Sequence, residues 1–166
     1  MKLVTLFTNH PILAMLGGAI TTALIQSSSA IIAIVQQMYH LKAISLYVSI
    51  PYILGCNIGT TITAILASIG QSKDAKRCAI AHSVFNITGS FLFIWIIKPF
   101  AKFVEMISPK GNELDVISRQ IANAHMSFNI INTLIWLPLL PVMVKIVMFI
   151  VRADKEIGRA SCRERV

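Results

Sequence analysis

The chain has 166 residues, of which 55% are hydrophobic and only 13% charged, whereas soluble domains carry about 25% charged residues. Its mean hydropathy is +0.72. An ordinary soluble domain is therefore excluded, and an all-α, polytopic membrane protein is predicted. The net charge of +8 suits loops that face anionic lipid and does not indicate a nucleic-acid partner. Four apolar runs are each long enough for the ~20 residues that cross a bilayer, namely residues 12–35, 44–69, 79–97 and 121–151.

Each end of the chain gives one expectation, about a signal peptide at the start and about a foreign tail at the end. Asn9, His10 and Pro11 interrupt the first apolar segment, and no small-residue cleavage site follows, so no signal peptide is indicated. The ending EIGRASCRERV resembles a translated cloning remnant. We therefore expect a membrane domain over residues 1–152 and a non-native tail over residues 153–166.

The first apolar run is interrupted by polar residues at positions 26–29, which read QSSS. The apolar pieces on either side, residues 12–25 and 30–35, are too short to cross a bilayer alone. They predict either a re-entrant helical hairpin over about residues 11–40, or one helix with a polar waist whose serines bond their own backbone. Burying an unpaired hydroxyl or amide costs roughly 1–3 kcal/mol, so these side chains need partners in either case.

The second apolar run contains residues that disturb a helix at membrane depth. Pro51 lacks an amide donor, and Gly55 and Gly59 flank Asn57, followed by Thr60, Thr61 and Thr63. Irregular backbone at that depth is tolerated only inside protein or along a cavity, and broken helices are typical of transporters. We expect a broken helix over residues 44–70; the alternative is a kinked helix whose threonines bond the backbone.

The rest of the chain predicts two further spans with a surface segment between them. Residues 79–97 form one span, and residues 98–108 form an amphipathic stretch that we expect to lie in the membrane interface. The last span, from about residue 121 to 151, contains Pro138 and Pro141, which should kink it.

One short motif occurs twice, as AHSVFN at 81–86 and AHMSFN at 124–129. Residues four apart lie on one helical face, so the motif pairs His82 with Asn86 and His125 with Asn129. Each pair forms either a hydrogen-bonded seam between helices or a direct contact to a substrate. The seam is the preferred interpretation.

Three interpretations compete for the polar residues. A solute site is favoured by half-helix N-termini, which suit an anion, and by hydroxyl and carbonyl oxygens, which suit sodium. An intramembrane serine hydrolase would use His82 or His125 as base, but no G-x-S-x-G turn is present. A structural or channel-like bundle is the third. No Asp, Glu, Lys or Arg lies within residues 12–41 or 43–70, so an anion there would be held by neutral donors and accompanying cations.

Four stretches together resemble the type II sodium-dependent phosphate cotransporters in their bacterial form. They occur in order over about residues 9–152 and read GGAITTALIQSSSAIIAI, ILGCNIGTTITAILASIG, KRCAIAHSVFNITGS and IANAHMSFNIINTLIWLPLLP. Members of that family contain two inverted repeats, each with a QSSS re-entrant hairpin, and the hairpin tips meet at midmembrane. The resemblance therefore favours the hairpin over the polar-waist helix.

The resemblance also implies a function and a site. It implies sodium-coupled symport of inorganic phosphate in the bacterial plasma membrane, with sodium as coupling ion, no cofactor, no further metal and no enzyme activity. By the family's pattern the binding residues would be Gln26, Ser27, Ser28, Ser29, Asn57, Thr60 and Thr61. The pairs His82 with Asn86 and His125 with Asn129 remain assigned to helix seams.

This chain has one QSSS where the family has two. The resemblance therefore implies the C-terminal half of a transporter, which needs either a missing first repeat or an antiparallel second copy, besides membrane lipid. Positive-inside counting does not give the orientation, because the loop charges are balanced. One side would carry Lys2, Lys42, Lys98, Lys102, Lys110 and Arg119, and the other Lys73, Lys76, Arg77, Lys145, Arg152 and Lys155.

Overall fold

The structure, a computed structural model, describes residues 6–7, 10–108, 111 and 113–152, and the side chains of 113–115 are not described. The predicted tail over residues 153–166 therefore lies outside the described part. Within that part the chain is helical and contains no strand. The helices are α1 (Pro11–Ile25), α2 (Ser28–His40), α3 (Leu46–Ala67), α4 (Lys73–Trp95), α5 (Ile97–Ile107), α6 (Glu113–Trp136) and α7 (Leu140–Ile150).

Two of these helices, α3 with 22 residues and α4 with 23, are long and apolar enough to cross a membrane. Helices α6 and α7 add a third span if the bent pair counts as one, and the break between them turns the chain by 88°. The predicted all-α membrane protein is confirmed. So is the predicted kink of the last span, which falls at residues 137–139 and thus includes Pro138.

The polar interruption of the first apolar run breaks the helix. Gln26 takes a left-handed conformation with φ 57°, and Ser27 is extended with φ −142°. The hydroxyl of Ser27 then accepts a hydrogen bond from the amide of Ala30 at 3.3 Å and caps α2. One continuous helix through this region is thereby excluded. At 15 and 13 residues, the two arms are shorter than the ~20 residues of a spanning helix.

Helix α3 is continuous, so the predicted break near Asn57 is wrong. The helix runs through Pro51 without interruption, as neighbouring helices permit for proline in membrane spans. Its threonines bond the backbone of their own helix, with Thr60 Oγ1 donating to the Cys56 carbonyl at 2.7 Å and Thr61 Oγ1 to the Ile58 carbonyl at 2.8 Å. The structure therefore contains the hydrogen bonds from threonine side chains to the backbone that the alternative interpretation of this run predicted.

The glycines of α3 do not break the helix; they allow α1 to cross it closely. A β-carbon at Gly55 would collide with the Met15 carbonyl oxygen of α1, and one at Gly18 would collide with the Tyr52 carbonyl oxygen of α3. Small residues at such positions let two membrane helices approach to backbone contact. Helix α1 is therefore held directly against α3.

Helices α4, α5 and α6 pack against α3, and the end of α7 returns to the start of α4. Phe93 of α4 makes edge contacts with Phe100 of α5 and Phe128 of α6, at centroid distances of 4.8 and 5.0 Å. Beyond the bend, Lys73 Nζ donates to the Arg152 carbonyl at 3.1 Å. The structure thus brings together two segments whose charges were predicted to share one side of the membrane.

The packing predicts a large difference in reactivity between two cysteines. Cys56 is fully buried on α3, whereas Cys78 is exposed on α4. In a Cys162→Ser background, N-ethylmaleimide should modify Cys78 in the folded protein and reach Cys56 only after denaturation, as measured by mass spectrometry. The Cys78→Ser variant should take up no label while folded. Equal labelling of both cysteines in the folded chain would contradict this packing.

Candidate functional site

A polar cavity of about 310 Å³ lies among α2, α3, α4 and α6. It brings together the hairpin tip, the polar face of α3 and both copies of the repeated motif, which are far apart in the sequence. Its wall consists of Ser28, Asn57, Thr60, His82, Phe85, Asn86, His125 and Asn129.

Local helix geometry explains why these side chains converge. Ser28 is the first residue of α2 and therefore stands beside the break. Asn57 and Thr60 are three residues apart on the continuous α3, which places them on one face. Because α3 packs against the helices that carry the other wall residues, its polar face becomes the common wall of the cavity.

Asn57 forms the one hydrogen bond that joins two wall residues on different helices in the described structure. Its Oδ1 lies 2.9 Å from Nε2 of His125 on α6. The residue is only 6% exposed, and its Nδ2 is buried without a hydrogen-bond partner among the described residues. An unpaired buried amide donor costs about 1–3 kcal/mol, so this group indicates a place for a ligand acceptor.

The two copies of the motif make the same local bond. Asn86 Nδ2 donates to the His82 carbonyl at 3.1 Å, and Asn129 Nδ2 donates to the His125 carbonyl at 2.8 Å. The side-chain amide nitrogen of each asparagine therefore bonds its own helix, and Oδ1 of each remains as an acceptor beside the cavity. Of the two histidines, His125 bonds a second helix, while both line the cavity.

The cavity includes some of the predicted binding residues and not others. Of the hairpin tip, Ser28 lines it, whereas Gln26 and Ser29 are exposed and Ser27 caps α2. Thr61 is buried but lies outside the cavity wall. The tip therefore presents only its third residue to this cavity.

Sequence reasoning missed Phe85 and the buried Asn132. Phe85 forms part of the wall, and Asn132 Nδ2 donates to its carbonyl at 2.9 Å. A β-carbon at Gly89 would collide with the Asn132 side chain, so this amide packs in the space that glycine leaves. The spacing of Asn132 three residues after Asn129 was the available signal, since it continues the same helical face.

Among the residues that the structure describes, the cavity wall carries no side chain of Asp, Glu, Lys or Arg. The first amides of α2, those of Ser28 and Ser29, have no acceptor within the described chain and place a partial positive charge at the helix start beside this wall. Free amides at a helix N-terminus favour an anion. Hydroxyl and amide oxygens on the same wall are the ligands that a hard cation takes. The arrangement can therefore accept an anion together with a cation.

Comparison with known proteins identifies the family. A sequence profile of the Na+/Pi-cotransporter family matches residues 1–161. The chain belongs to this family. The family is one of transporters rather than enzymes, so the serine hydrolase interpretation is not supported, and the resemblance read from the four sequence stretches is confirmed.

Individual relatives agree with this assignment. The chain is 34% identical to the uncharacterized protein YqeW of Bacillus subtilis (strain 168) over 84% of its own length and 44% of that protein. It is 31% identical to sodium-dependent phosphate transport protein 2B of Bos taurus over 80% of its own length and 18% of that protein. The chain thus spans less than half the length of these relatives. No solved structure matches it.

Proposed function

We propose that this chain is the C-terminal half of a sodium-coupled symporter for inorganic phosphate in the plasma membrane, and that its polar cavity binds phosphate with sodium. The observation that carries the proposal is the buried, unpaired Nδ2 of Asn57 on the wall of an uncharged cavity. The mammalian relatives are named sodium-dependent phosphate transport proteins, which supports this substrate and ion.

Phosphate would be held by neutral donors. The Ser28 hydroxyl and the first amides of α2 lie where that helix begins. The Asn57 side chain of α3 belongs to the same cavity wall as Ser28. Since the cavity wall has no Lys or Arg, the negative charge needs a mobile counter-ion. Sodium supplies this charge, which gives a physical reason for phosphate binding to depend on it.

Sodium would be held by oxygen atoms of the same wall. Thr60 donates its hydroxyl proton to the Cys56 carbonyl, so its oxygen lone pairs are free to face a cation. The Oδ1 atoms of Asn86 and Asn129 are further candidates, because each side chain already donates through Nδ2 to its own helix. Oxygen-only coordination suits a hard cation.

A second half would complete the site. Gln26 and Ser29 of the tip are exposed in this chain, and the family resemblance assigns them to the binding region. We propose that they face the corresponding hairpin of a first repeat, or of an antiparallel second copy of this chain, at midmembrane.

This proposal predicts that the isolated half is inactive. Residues 1–152 in proteoliposomes should show no sodium-dependent accumulation of radiolabelled phosphate, because ligands from both halves are needed. Joining them to an upstream QSSS repeat should restore uptake, measured under sodium and potassium gradients of equal size.

Potassium gradients serve as the control for leak. Strong sodium-driven uptake by the isolated half would contradict the need for a first repeat. If crosslinking then showed antiparallel dimers, the second copy would be the completing half.

A further inference from the structure

The bond between His125 and Asn57 has a chemical consequence for what the cavity can bind. A side-chain amide has one end that only accepts hydrogen bonds and one end that only donates. Here Oδ1 of Asn57 lies 2.9 Å from His125 Nε2, so the donating end is the one left without a partner among the described residues. The opposite rotation of the amide would present a carbonyl oxygen, which suits a cation instead of an anion.

The histidine decides between these two rotations through its tautomer. A carbonyl oxygen accepts only, so Nε2 of His125 must carry a proton to bond Oδ1. With the proton on Nδ1, Nε2 would accept from the amide nitrogen and turn Oδ1 of Asn57 toward the cavity. No other wall residue bonds the Asn57 side chain in the described structure, so this contact alone fixes its rotation.

We infer that His125 is a positioning residue that holds the Asn57 amide with its Nδ2 directed at the anion, and so sets the cavity to bind phosphate at this point and not sodium. The inference rests on the proposed function for the identity of the anion. It assigns His125 a role beyond a helix seam, because the contact selects which end of the amide the solute meets.

The test is nitrogen NMR of the full 166-residue chain in lipid nanodiscs, with 15N-labelled histidine. We expect His125 in the Nε2–H tautomer, identified by loss of its signals in the His125→Leu variant. The Asn57→Leu variant should abolish this tautomer preference. Asn123→Leu should leave it intact, since Asn123 lies on the same helix but donates to Ser108 Oγ at 3.0 Å.

An Nδ1–H tautomer of His125 in the unmodified chain would overturn the inference, and so would a tautomer that Asn57→Leu leaves unchanged. The first of these results is read from the unmodified chain, and His125→Leu serves only to assign the signal, so poor folding of Asn57→Leu does not decide the outcome.

Titration with inorganic phosphate in sodium buffer, on the chain joined to an upstream QSSS repeat and labelled with 15N-asparagine, separates this inference from the proposed function. Phosphate should shift the side-chain amide signal of Asn57, and His125→Leu should weaken the apparent affinity about tenfold or more. His125→Gln should recover much of that loss, because the glutamine amide can donate to the same oxygen. If phosphate shifts nothing in the joined protein with His125 intact, the proposed function fails. A failure of Gln to rescue where Leu is defective counts against the positioning role.

Discussion

Replacing Gly55 with leucine should abolish the folded membrane domain. Even a β-carbon at this position meets the Met15 carbonyl oxygen of α1, and a backbone atom cannot move aside as a flexible side chain does. Overpacking in a well-packed core typically costs about 1–3 kcal/mol, and separating α1 from α3 should cost more. Fluorescence-detected size-exclusion chromatography in mild detergent should show loss of the monodisperse peak.

The matched control is Gly111→Leu, because a β-carbon at Gly111 meets nothing within 4 Å. That variant should elute as the unmodified protein does. A Gly55→Leu protein with unchanged elution and melting temperature would show that α1 does not cross α3 at this glycine.

Replacing Ser28 with alanine should strongly reduce sodium-driven phosphate uptake once the chain is joined to an upstream repeat. Ser28 is the hairpin-tip serine that lines the cavity, and removing its hydroxyl leaves the bound ion one ligand short. Leaving a buried partner unpaired costs about 1–3 kcal/mol, which corresponds to a roughly 5- to 150-fold loss of affinity. Radiolabelled phosphate uptake in proteoliposomes, corrected for the amount of inserted protein, measures the loss.

Ser45→Ala is the control for this substitution. Ser45 precedes α3, is exposed and makes no side-chain cap, so its loss should leave uptake at the unmodified level. Gln26→Ala should also reduce uptake if the exposed amide contacts the completing half. Full activity of both the Ser28 and Gln26 variants would reject the hairpin tip as part of the binding site.

The break at the hairpin tip was predictable, and the continuity of α3 was not. The two short apolar arms around QSSS left a hairpin and a polar-waist helix open, and the family resemblance favoured the hairpin. Gly55 and Gly59 look the same in sequence whether they loosen a helix or allow another to touch it. The difference depends on α1, whose backbone lies against Gly55, and no pattern within α3 reveals that contact.

The candidate site, like the fold, could be predicted only in part from the sequence. The spacing of His and Asn in the repeated motif predicts a shared helical face, and the structure has both faces on one cavity. The bond between Asn57 and His125 joins residues 68 positions apart, and only the folded chain makes it. Likewise, the left-handed turn at Gln26 determines which tip serine faces inward, because it sets the direction in which α2 starts.

At Gln26, the residue type that the backbone conformation favours differs from the one that the proposed binding site needs. Glycine adopts such a conformation freely, whereas a residue with a β-carbon costs roughly 1–2 kcal/mol there, and the chain has glutamine at φ 57°. Selection for expression yield or heat resistance alone would therefore favour glycine at position 26 and discard the amide. Thermostabilised variants of this protein should therefore be checked first at codon 26. The variant with the highest yield can be one that has lost the glutamine amide and no longer binds its solute.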